Sequence, residues 1–208
     1  MASFITLEGG EGAGKSTQAA LLADALVALG LPVLRTREPG GAPGAETLRG
    51  LLLSGSIEWS PLAETLLHFA ARAEHIAKTI RPALDAGMWV VCDRFYDSTM
   101  AYQGYGRRVD RGVIASLIGY LGILPDLTLV LDVSDEIAVK RRILRGGDMD
   151  RYERLDAAFH TRVRQGFRTL ATAEPARCIV IPADMPREEV HAAIMQALRA
   201  RLSLSPAT

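Results

Sequence analysis

The feature that most constrains this chain is a glycine-rich turn set between a strand-like run and a helical one. Residues 4–17 read FITLEGGEGAGKST. Gly9-x4-Gly14-Lys15-Ser16 matches the phosphate-loop pattern, and its required context, a strand before and a helix after, is present. Glycines let successive backbone N–H groups turn inward around an anion without interference from a Cβ. The helix that follows adds its N-terminal dipole. Lys15 supplies a point charge for β- and γ-phosphates, and Ser16 offers a hydroxyl to Mg²⁺. The stretch Gly9, Gly10, Glu11, Gly12, Ala13, Gly14, Lys15, Ser16 and Thr17 is thus the expected cradle for ATP. Glu11 is out of place in it, because a carboxylate repels phosphate.

Downstream, apolar strand-like runs alternate with helical patterns. Strands are expected at 4–7, 32–36, 88–92, 127–133 and 178–181. Helices are expected at 16–29, up to 53, 61–86, 97–105, 111–121, 136–144, 151–173 and 187–202. Strands alternating with helical segments imply a parallel sheet with right-handed crossovers. Runs such as WVVC and LTLVLDV are apolar on both alternations, as strands covered on two faces should be. The expected fold is a single three-layer α/β/α domain over residues 1–208, with its sites at the carboxyl ends of the strands.

Composition narrows the partners. The formal net charge of the 208-residue chain is zero, so no overall field favours nucleic acid or a membrane surface. No apolar run reaches membrane-spanning length, and Cys92 and Cys178 sit in strand-like runs as expected free thiols. A cytoplasmic location is expected. There is no asparagine, so the Asn-Lys-x-Asp element on which guanine recognition commonly rests cannot exist here. Small size and additional basic sites favour a kinase.

Two further stretches carry chemistry. In CDRFYDSTMAYQG, Asp93 at a strand end can hold a water of a Mg²⁺ shell, and Arg94 can clamp a second phosphate. Thr99 and Gln103 lie four apart on a predicted helix and share a face; both donate and accept, which suits the edge of a base. RRILRGGDMDRYE breaks two helices with Gly-Gly and concentrates Arg141, Arg142, Arg145 and Arg151. A short lid at about 145–152 that closes on phosphates fits this pattern. Transfer to a monophosphate needs no general base, because the acceptor oxygen is already anionic; alignment and charge neutralisation carry the reaction.

Taken together, EGGEGAGKST, TREPGG, FAARAEH, DRFYDSTMAYQG, PDLTLVLDV and DRYE resemble bacterial thymidylate kinases in order and spacing over nearly the whole chain. The resemblance implies a P-loop kinase fold with a five-stranded parallel sheet of order 2-3-1-4-5. It implies γ-phosphoryl transfer from MgATP to dTMP, and a homodimer. By the same resemblance Arg94 binds the dTMP phosphate with Arg49 beside it, and Arg37 belongs to the TREPGG element, whose Glu38–Pro39 peptide is often cis. Arg72 hydrogen-bonds thymine O4, Thr99 and Gln103 meet the base edge, and Tyr102 crowds a ribose 2′-OH. Glu11 accepts from the deoxyribose 3′-OH. Arg151 is the lid arginine that reaches the ATP phosphates, while Arg142 and residues 183–185 wall the adenine. One departure stands out. The stacking phenylalanine is commonly four residues before the arginine matching Arg72; here that position is His68, and Phe69 is three before. Phe69 is the favoured stacking residue and His68 the alternative. Two other readings are a different P-loop monophosphate or small-metabolite kinase, and a P-loop ATP-binding protein without transferase activity.

Overall fold

The computed structural model describes residues 2–146, 151–152, 154–202 and 204. Five parallel strands, β1 (Phe4–Glu8), β2 (Val33–Arg37), β3 (Trp89–Asp93), β4 (Leu127–Asp132) and β5 (Cys178–Pro182), form one sheet of order β2-β3-β1-β4-β5. This is the expected order. β1 lies at its centre, with Leu7 opposite Asp93 on one side and Leu129 on the other. The carboxyl ends of β1 and β3, followed by the phosphate loop and Arg94, therefore emerge side by side.

Helix α1 (Lys15–Ala28) and the C-terminal helix α9 (Arg187–Arg201) cover one face. Ile5, Leu7, Leu22, Leu26, Val91, Leu129, Ile194 and Leu198 are buried together there. On the other face, α8 (Ala157–Ala173) packs Phe159, Val163 and Phe167 against Val130 and Tyr102. The same side carries α2 (Pro43–Leu53), α3 (Pro61–His75) and α6 (Arg111–Leu121). Pro61 follows the N-cap Ser60, whose side chain accepts from Ala63 N–H, so α3 starts where its sequence allows.

Three expected elements differ. The helix expected over 61–86 widens into a π-helical segment, Ile76–Ile80, before α4 (Arg81–Asp85). Likewise, α5 (Tyr96–Thr99) continues as π-helix through Met100–Gly106, a geometry often met at functional sites. The helix expected from Arg151 begins only at Ala157, because the Asp156 side chain caps it by accepting from Phe159 N–H at 2.6 Å. Before it, Arg151 and Tyr152 lie in turns. Helix α7 (Asp135–Arg145) leads into the expected lid, of which residues 147–150, and Glu153 of DRYE, lie outside the described residues.

Candidate active site

The phosphate loop joins β1 to α1 by a path only glycines permit at two points. Gly9 (φ 136°) lies so close to β4 that a Cβ would stand 2.4 Å from Leu131 O. At Gly12 (φ 77°) a Cβ would meet Ala138 O of α7 at 2.5 Å. Lys15 is buried, and its Nζ donates to Gly10 O at 2.7 Å. Desolvation, then the neighbouring Arg94, lower its pKa to about 8 against the pull of Glu11 and Asp93. The Ser16 hydroxyl donates to Asp93 Oδ2, which brings the two expected Mg²⁺-side oxygens together.

A cavity of about 500 Å³ opens beside this loop. Its walls include Glu11, Gly12, Lys15, Ser16, Thr17, Arg37, Arg49, Arg72, Asp93, Arg94, Thr99, Tyr102, Gln103 and Arg142. Sequence positions far apart thus converge on one space, at the strand ends where the fold places it.

Arg94 holds the centre. Its backbone is left-handed (φ 70°), an uncommon conformation for a non-glycine residue, and its N–H donates to Leu7 O at 3.0 Å. Nη1 donates to Gly9 O and Ser98 Oγ, each at 3.1 Å. Nη2 donates to Glu11 Oε1 and to Tyr102 OH, the latter at 3.1 Å. Beneath it, Glu8 is fully buried and accepts from Phe95 N–H at 2.7 Å and from Ser98 OH at 2.5 Å. Burial, then the Asp97 carboxylate, raises the Glu8 pKa to about 8. Glu11 goes the other way. Burial would raise it, but Arg94, then Lys15 and the Tyr102 hydroxyl, outweigh burial and hold it at about 2.

The far end of the cavity is built on α3. Arg72 Nε donates to Glu38 Oε2 at 2.6 Å, while Nη2 donates to Phe95 O and Thr99 Oγ1, both at 3.1 Å. Nη1 is buried without a hydrogen-bond partner. Glu38 in turn is held by His75 Nδ1 at 3.0 Å, and the Glu38–Pro39 peptide is cis. Arg49 Nη1 donates to Pro39 O at 2.6 Å. Arg37 pairs with Glu46 on an exposed edge.

Two expectations shift. His68, and not Phe69, lines the cavity. Phe69 is buried with Met100 and Ile114, and its ring centroid lies 5.1 Å from the Arg72 guanidinium carbon. The phase of the helix decides this: His68 is one full turn before Arg72 and shares its face, whereas Phe69 is rotated towards α6. Arg151 does not line the cavity either. Its guanidinium lies 2.7 Å from the buried carboxylate of Glu64 on α3. The neighbouring Tyr152 fastens the segment there through hydrogen bonds to His68, Gln103 and Glu64. Arg141, known from the sequence only as part of the arginine-rich stretch, is a wall residue as well. Its Nη2 donates to Met185 O at 3.1 Å, which ties α7 to the 183–185 loop. Glu64 was missed, although it lies four and eight residues before His68 and Arg72, a spacing that places all three on one face.

Comparison with known proteins agrees with this geometry. A family model described as thymidylate kinase matches residues 7–194. A thymidylate kinase of Gluconobacter oxydans is 52% identical over 207 residues, covering 97% of this chain and 96% of that protein. One of Caulobacter vibrioides is 50% identical over 204 residues, covering 97% and 98%. Among solved structures, a thymidylate kinase from Ehrlichia chaffeensis superposes with a TM-score of 0.79 at 36% identity, covering 95% of this chain and 98% of that one.

Proposed function

The chain belongs to the thymidylate kinase family, and from that premise we infer how its residues phosphorylate dTMP to dTDP with ATP as donor. The observation that carries the assignment of roles is Arg72. Its guanidinium is fixed by Glu38, Phe95 O and Thr99 and keeps a buried, unpartnered Nη1. A donor so placed suits the O4 of thymine and opposes the amino group of cytosine.

ATP phosphates take the loop from Gly9 to Thr17, with Lys15 as the point charge and Arg141 and Arg142 among the other residues that line the cavity. The dTMP phosphate takes Arg94, with Arg49 and Arg37 at the rim. An anionic phosphate oxygen of dTMP attacks the γ-phosphorus, and ADP leaves; the residues align and neutralise the two anions. Ser16 Oγ and Asp93 Oδ2 are hard oxygens at the loop's edge, the donor type Mg²⁺ prefers when substrate phosphates complete its shell. Mg²⁺ held there would supply charge neutralisation to the phosphates. His68 takes the place of the stacking ring, Thr99 and Gln103 meet the base edge, and Tyr102 crowds the sugar. Arg151 is assigned to holding its segment on Glu64 and not to the donor phosphates.

The protein is further proposed to be a single-domain, cytoplasmic homodimer. Both cysteines are free and buried, as suits a reducing compartment. Among the described residues no helix is long and apolar enough to cross a membrane. On α3, Leu62, Leu66, Ala70, Ala73 and, one turn on, Ala77 are all exposed, an apolar stripe of the kind that a second copy covers.

A coupled ATP assay with dTMP, dUMP, dCMP, dGMP and dAMP tests the reading. The expected result is the highest kcat/KM with dTMP. A preference for dCMP or a purine would overturn the role given to Arg72.

A further inference from the structure

Glu64 stands apart from the phosphate machinery, behind the base end of the cavity, and is fully buried. Its Oε1 accepts from Gln103 Nε2 at 2.8 Å and from Tyr152 OH at 2.9 Å. Its Oε2 lies 2.7 Å from Arg151 Nη2 and 3.8 Å from Arg107 Nη2, as charge contacts and not hydrogen bonds.

A carboxylate has no proton to give, so the direction of each bond is set. Gln103 must turn its NH2 towards Glu64, which removes the usual two-fold ambiguity of an amide. Its second side-chain bond, to Tyr152 OH at 3.3 Å, also uses Nε2. Oε1 is left as an acceptor on a residue that lines the cavity. The same logic runs through Tyr152. Its proton goes to Glu64, so at 2.8 Å it receives from His68, and Nε2 is the protonated nitrogen of that ring. His68 is neutral, since burial and then Arg72, Arg94 and Arg151 lower its pKa to about 3.

We propose that Glu64 is a specificity-determining positioning residue: by orienting the Gln103 amide it presents an acceptor oxygen to the pyrimidine N3. Thymine and uracil carry a hydrogen there, and cytosine carries a lone pair. A site built to accept that hydrogen rejects a base lacking it, because two acceptors then face each other without a proton. The inference rests on reading this cavity as the dTMP site, and it is separate from Arg72, which acts at position 4 of the ring.

The test compares wild type, Glu64→Gln and Glu64→Asp with dTMP, dUMP and dCMP as acceptors. A glutamine at 64 satisfies either orientation of the Gln103 amide. An aspartate keeps the charge for Arg151 and Arg107 but withdraws it from Gln103 by one methylene. The dTMP:dCMP ratio of kcat/KM should fall about tenfold in Glu64→Gln and less in Glu64→Asp. The dTMP:dUMP ratio and the KM for ATP should hold. A merely structural role lowers the active fraction and moves all three acceptors together. Unchanged ratios in whichever variant is folded by circular dichroism overturn the proposal. A wild type that fails to prefer dTMP over dCMP overturns instead the reading of the cavity on which it rests.

Discussion

Glu11 and Arg94, 83 positions apart, share a hydrogen bond that joins the phosphate loop to the end of β3. Tyr102 OH donates to the same Glu11 oxygen at 2.8 Å. The misplaced carboxylate of the loop is therefore the partner of Arg94, the proposed clamp of the acceptor's phosphate, and is held ionised by the cations around it. It lines the cavity between the loop and Arg94. If Glu11 accepts from the 3′-OH of dTMP, Glu11→Gln should lower kcat/KM for dTMP roughly 10- to 100-fold, the range for a hydrogen bond to a charged group. With a 3′-deoxy acceptor, the variant and the wild type should differ far less. Equal losses on both acceptors would assign Glu11 to orienting Arg94 alone.

Behind the site, Asp97 and Arg177 form a buried bidentate pair, with both N–O distances 2.8 Å. Arg177 also donates to Thr128 at 2.9 Å, and Thr128 hydrogen-bonds Thr6 across β1 and β4. The pair therefore pins α5, and with it the Arg94 loop, to the sheet. Arg177→Met leaves the Asp97 carboxylate buried without a counter-charge, at a cost of about 3–5 kcal/mol. Urea unfolding of variant and wild type measures it; a loss below about 1 kcal/mol would mean that water reaches Asp97.

Glu8 gives a pH signature. Its folded pKa is raised to about 8 by burial and then by Asp97, against Ser98, Arg94 and the Phe95 N–H. Between the unfolded carboxyl value and pH 8 the folded state holds more protons than the unfolded one. Its contribution is therefore fully present below about pH 4.5 and is lost as pH rises through 8. Glu8→Gln removes this dependence. Thermal unfolding from pH 5 to 8.5 should show the wild type losing stability relative to the variant as pH rises; parallel curves would mean that Glu8 is ionised throughout.

Much of this arrangement is readable in the sequence, and what escaped it has physical causes. The sheet order followed from resemblance, and the strands followed from runs apolar on both alternations. Lys15, Ser16, Asp93 and Arg94 converge because each lies at or beyond the carboxyl end of a strand, which a one-dimensional pattern reveals. His68 against Phe69 turned on about a third of a helical turn, finer than a motif aligned by its aromatic residue. The contact of Arg151 with Glu64 escaped the sequence because an arginine-rich break reads as a phosphate lid whatever its side chains contact. Only the fold places Glu64, 87 residues upstream in the sequence, beside it. The late start of α8 follows from a local cap at Asp156, a signal present in the sequence and overridden by a helical pattern that ran through it.

The final prediction concerns the exposed face of α3. Leu62 and Leu66 are 50% and 47% exposed, and Tyr120 of α6, the helix packed alongside, is 88% exposed. Scattered apolar residues on a surface are ordinary, but these belong to a stripe continued by Ala70, Ala73 and Ala77, whose small side chains let a second helix approach closely. A stable interface buries on the order of 800 Å² per partner, which a pair of helices with their flanks provides. Leu66→Glu would put a charge in the middle of that contact, opposite its own copy across a two-fold axis. The wild type should run as a dimer in light scattering coupled to size exclusion, and Leu66→Glu as a monomer with its thermal midpoint lowered. A wild type that is monomeric at micromolar concentration would show that the stripe faces solvent.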